Sequence, residues 1–98
     1  MNEHDIYLKN KIDSVIDIVK SKLNVTVYFN EDRAEKNYNL CTYLFKMPYG
    51  VSYNITVEQF EDAIMIYDMT NWMIADRIIN SLKHEFINVL LIKKQEKV

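Results

Sequence analysis

The chain has 98 residues, of which 49% are hydrophobic, and a formal net charge of −2. That length suits one domain, residues 1–98, with a core of its own, and a single Gly and a single Pro exclude a disordered composition. Near-balanced charge supplies no basic footprint for nucleic acid or an anionic membrane, and is too weak for an acidic mimic of DNA.

Residues 5–23, "DIYLKNKIDSVIDIVKSKL", predict an amphipathic helix. Leu8, Ile12, Val15, Ile16, Val19 and Leu23 fall within about 100° of one another on a helical wheel. Lys9, Asp13, Asp17 and Lys20 line the other side. The period changes in "NVTVYFN", 24–30, where Val25, Val27 and Phe29 alternate with Thr26 and Tyr28, as in a strand. "EDRAEKN", 31–37, is charged, lacks an apolar stripe and reads as a solvated loop.

"YNLCTYLFKM", 38–47, predicts a second strand with apolar residues in both phases. Such a strand is either central, with both faces covered, or offers one face to another chain. "PYG", 48–50, holds the only Pro and the only Gly and predicts a turn. "VSYNI", 51–55, then alternates as a third strand, giving a hairpin about 48–50. Thr56 opens "TVEQ", a capping box with Gln59 in the third helical position. Val57, Phe60, Ala63, Ile64 and Tyr67 share a helix face; the rival reading is a strand through Ala63–Tyr67.

"DMTN", 68–71, carries three residue types that cap helices and predicts a break, in preference to one long bent helix. In the last segment, 70–94, Trp72, Ala75, Ile78, Ile79, Leu82, Phe86, Val89 and Leu90 fall within about 120°, the width of a core-facing stripe. Met73, Ile87 and Leu91 form a second, smaller stripe, with Met73 far from the other two along the axis, while Ile74 and Ile92 fit neither. Met65 and Met69 also lie off the apolar face of their helix. Flexible methionines at exposed positions suit adaptable binding surfaces.

The expected fold is α+β: a small antiparallel sheet of about three strands, packed by an N-terminal helix and one or two C-terminal helices, in the order α-β-β-β-α-α. That order resembles double-stranded RNA-binding domains, which read RNA through lysines at the start of their last helix. Here that region is "TVEQFED" or "TNWMIAD", neutral to acidic, so the resemblance implies topology and not function.

No sequence pattern places a nucleophile beside a base. His84–Glu85 lacks the second His of H-E-x-x-H, and no Cys-x-x-Cys pair exists. Cys41, among Leu40, Tyr43 and Leu44, reads as a buried structural thiol. One glycine cannot build a phosphate-cradling loop. His4 in "NEHD", and the pairs Glu31–Asp32 and Glu61–Asp62, read as solvated polar surface. No catalytic residue, cofactor or metal is therefore expected.

A single cysteine excludes an intrachain disulfide and points to a reducing, cytoplasmic setting. "MNEHDIYLKNKID" is charged throughout, unlike a secretory leader. No stretch reaches the roughly 18 consecutive apolar residues of a membrane span.

The expected function is a small non-enzymatic protein-binding module, working as a homodimer. A phage or mobile-element regulator or inhibitor that occupies a partner protein's surface fits the size and the Asn, Ile, Lys and Tyr bias. The surface expected to carry it is Met65, Met69, Met73, Ile87 and Leu91, with Glu58, Glu61 and Asp62 at the rim. The alternative is nucleic-acid binding through Lys9, Lys11, Lys20, Lys22, Arg33, Lys36 and the Lys93–Lys97 tail, with Tyr28, Tyr43 and Tyr53 as a stacking platform.

Overall fold

The computed structural model describes residues 2–31 and 37–96. It has an N-terminal helix, a three-stranded antiparallel sheet and two C-terminal helices, in the expected order. Helix α1 spans Glu3–Lys22. Asn2 caps it, its side-chain oxygen accepting from the Asp5 N–H at 2.8 Å. Glu3 and Asp5 in the first turn, and Lys20 and Lys22 in the last, complement the helix dipole. Leu8, Ile12, Val15, Ile16 and Val19 form its buried face.

Strands β1 (Thr26–Asn30), β2 (Thr42–Lys46) and β3 (Ser52–Thr56) pair in the order β1-β2-β3. The central strand is shorter than its apolar run, because Tyr38–Leu40 form a 3₁₀ turn before it. The charged loop expected at 31–37 falls mostly on 32–36, outside the described residues. Register places Val27, Phe45 and Tyr53 in one row and Phe29, Tyr43 and Ile55 in another. Directly opposed residues share a face, so these rows form the inner face, which carries the buried Tyr43, Phe45 and Ile55. The outer face carries Tyr28, Leu44 and Asn54 in one row and Thr26, Lys46 and Ser52 in the next.

The hairpin turn at Pro48–Gly50 puts two successive residues in the left-handed region, Tyr49 at φ 65° and Gly50 at φ 76°. Space around Gly50 is open, so its backbone angle, not crowding, favours glycine there. The Met47 N–H closes the turn on the Val51 carbonyl at 2.8 Å.

Helix α2 (Val57–Met65) starts at the expected capping box. The Gln59 N–H donates to Thr56 Oγ1 at 3.0 Å, and the Thr56 N–H donates to Gln59 Oε1 at 2.8 Å. Val57 and Phe60 are fully buried. The break expected at 68–71 is present, and helix α3 runs from Asn71 to Glu96. It packs along α1, and Ile74, Ala75, Ile78, Ile79 and Leu82 are its buried residues among those described.

Aromatic contacts tie the layers together. Tyr43 meets Phe29 at 5.0 Å between ring centroids and Phe60 edge-on at 5.9 Å. At 26 residues α3 is about 39 Å long, and the molecule measures 55 × 30 × 21 Å. No residue of α3 beyond Leu82 belongs to the fully buried core among those described.

Candidate protein-binding surface

The connection between α2 and α3 is a fixed corner. The Ile66 and Tyr67 N–H groups both donate to the Asp62 carbonyl, at 2.9 and 3.1 Å. The Met69 N–H reaches back to the Ala63 carbonyl at 2.9 Å. Asp68 turns the chain at φ 49°, a left-handed conformation that Asp tolerates better than most residues. Thr70 then caps α3, its hydroxyl accepting from the Met73 N–H at 3.2 Å.

These hydrogen bonds hold the backbone of the corner, while most of the large side chains around it are exposed. Met65, Ile66, Tyr67, Trp72 and Met73 are 60, 68, 71, 59 and 50% exposed. Met69, half-buried and packed on the core, joins two depressions. Tyr67, Met73, Asp76 and Arg77 complete one. Met65, Trp72, Ile64, Tyr7 and Lys11 line the other. Tyr, Trp and Met are residue types enriched at the centres of protein interfaces.

The residues expected from sequence divide into two groups. Met69 lines both depressions at the corner, with Met65 in one and Met73 in the other. Ile87 and Leu91, both more than half exposed, lie fourteen and eighteen residues further along α3, about 21 and 27 Å away. They belong to a separate exposed tail with Leu90 and Ile92. Of the acidic rim, Glu58 is exposed on the first turn of α2. Glu61 is tied to His4 of α1 by a 2.8 Å contact between Oε2 and Nε2. Asp62, half-buried, contributes its backbone carbonyl to the corner.

Sequence reasoning missed Ile66, Tyr67 and Trp72. The periodicity puts Tyr67 on the inner face of α2, but that helix ends at Met65. Trp72 and Leu90 belong to the inner stripe by angle, yet both are exposed. They lie near the two ends of α3, beyond the stretch whose residues are buried against α1. Ile74, which fitted neither stripe, is buried.

The other candidate groups are held in ordinary structure. Tyr38 and Tyr43 have their hydroxyls 3.2 Å apart. Burial raises both phenols above the usual tyrosine value. The Cys41 thiol is buried and donates to the Asn37 carbonyl at 3.5 Å. Among the described residues, no group of three or more His, Cys, Asp or Glu could hold a metal ion.

Of the lysines, Lys9 pairs with Asp13 at 2.8 Å, and that hydrogen bond raises its pKa. Lys11 sits over the Tyr7 ring at 5.7 Å, and Lys20 shares a groove with Asp13 and Asp17. Arg33, Lys36, Lys97 and the Lys93 side chain lie outside the described residues. Tyr28 is on the outer sheet face, whereas Tyr43 and Tyr53 are on the inner face, so the three do not form one platform. No described helix is long and apolar enough to cross a membrane. No protein-family model, no curated protein and no solved structure matches the chain.

Proposed function

We propose that this chain is a non-enzymatic protein-binding module whose contact surface is the corner between α2 and α3, and that it acts in the cytoplasm as a homodimer. It regulates or inhibits another protein by occupying that protein's surface. The carrying observation is the set Met65, Ile66, Tyr67, Trp72 and Met73, each at least half exposed, on or flanking a hydrogen-bonded turn. Tryptophan and tyrosine are enriched among the residues that dominate binding energy. A rigid backbone beneath them lowers the ordering cost of association. Methionine lets the surface adapt to its target.

The test is affinity capture from source-cell lysate with and without nuclease, followed by mass spectrometry. The expected result is one protein retained in near-equal amount after nuclease treatment, and lost with Trp72→Ala and Met73→Ser. Recovery only of mixed nucleic-acid-binding proteins that vanish with nuclease would overturn the proposal in favour of the lysines.

A further inference from the structure

Strand β1 is an edge strand, paired with β2 on one side only. Among the described residues, Thr26–Asn30 make no backbone hydrogen bond outside that pairing. Natural proteins blunt such edges with charge, proline, a bulge or a covering element, because an open edge templates pairing with another chain. None of the sequence-level devices is present here. Residues 24–30, "NVTVYFN", contain no charge and no Pro. The register against β2 runs through all five residues without a bulge. Four of the five are exposed, including Tyr28 at 49% and Phe29 at 43%. The other edge strand, β3, has one exposed residue, Asn54.

We propose that β1 pairs antiparallel with β1 of a second copy of this chain, about a twofold axis at Tyr28, joining two sheets into one of six strands. This rests on the self-association proposed above and gives it a surface separate from the corner. The strand is complementary to itself in that arrangement. The twofold sets Tyr28 opposite the partner's Tyr28, Val27 opposite the partner's Phe29, and Thr26 opposite the partner's Asn30. Aromatic meets aromatic, apolar meets apolar and polar meets polar, with side chains on matching faces.

Helix α1 adds a second match. Asp13, Ile16, Asp17 and Lys20 line one groove with Val27 and Phe29, the neighbours of Tyr28. A twofold axis at Tyr28 reverses this row of mixed charge against its own copy, turning Lys20 towards the end of the opposite row that carries Asp13 with its Lys9 partner. An isologous contact of this kind consumes both β1 edges and stops at two chains. An unrelated strand would require neither the symmetric sequence nor the mixed charge row.

The test combines light scattering with hydrogen exchange on the full chain. Wild type should elute at twice 11.7 kDa at high micromolar concentration, and amides within 26–30 should gain protection as concentration rises. Tyr28→Glu should weaken dimerisation at least tenfold, because it opposes two carboxylates across the axis. Within each chain the new carboxylate lies on the outer sheet face beside Lys46, whose ammonium is 6.0 Å from the Tyr28 ring, so the fold is expected to survive. Circular dichroism checks that, and exchange in the wild type reads the interface even if the variant unfolds.

A wild type that stays monomeric overturns both the self-association and this assignment. A dimer unaffected by Tyr28→Glu, or one whose concentration-dependent protection falls at 65–73, overturns the β1 assignment alone. Protection of β1 that arises only with a different protein bound also overturns it.

Discussion

Trp72 is the only tryptophan, and replacing it with Ala separates a binding residue from a core residue. At 59% exposure, about two fifths of its surface is covered by the rest of the chain. Truncating a fully buried Phe or Trp to Ala costs about 3–5 kcal/mol, so two fifths of that is roughly 1–2 kcal/mol for Trp72→Ala. Phe60, with no exposed surface, should show the full cost of about 3–5 kcal/mol in Phe60→Ala. Urea unfolding followed by far-ultraviolet circular dichroism measures both variants without a tryptophan probe. In the wild type, the emission of Trp72 should be quenched readily by acrylamide. Binding of a partner should shift that emission to the blue and block quenching. Equal destabilisation by the two variants, or a native emission closed to quencher, would refute the exposure on which the binding surface depends.

Removing the capping box with Thr56→Ala should destabilise the protein by about 1 kcal/mol, read as a lower urea midpoint at unchanged slope. Stability should also fall at alkaline pH. Burial raises the Tyr38 and Tyr43 phenols above the ordinary value of about 10. The unfolded chain therefore loses these protons first, and the stabilisation present below pH about 10 is lost as pH rises towards the folded values. Tyr38→Phe should reduce that loss in urea titrations between pH 10 and 11.

Local signals carried most of the fold. The period-3.6 pattern of 5–23, the period-2 pattern of 24–30, the Pro–Gly turn at 48–50 and the capping box at Thr56 each depend on neighbours in sequence. Each appears in the structure close to its expected position. The break between α2 and α3 was also legible, because Thr70 caps α3 as its residue type suggests. What sequence missed depends on where packing stops. A helical wheel gives angle but not depth, so it could not tell that Trp72 and Leu90 lie past the ends of the α1 contact. Nor could it show that Ile74 is covered, whereas the distance of Ile87 and Leu91 from Met73 follows from residue spacing alone. Met65 and Met73 were identified as surface residues by angle, and their exposure agrees with that.

The most direct measurement is the affinity of the captured partner for wild type, for Trp72→Ala with Met73→Ser, and for Ile87→Ser with Leu91→Ser. Calorimetry on the purified pair supplies all three values. If the α2–α3 corner is the binding surface, the first variant loses at least 2 kcal/mol, about 30-fold in Kd. The tail variant should stay close to wild type. An unchanged affinity in Trp72→Ala with Met73→Ser would contradict the proposal that the corner is where this protein meets its partner.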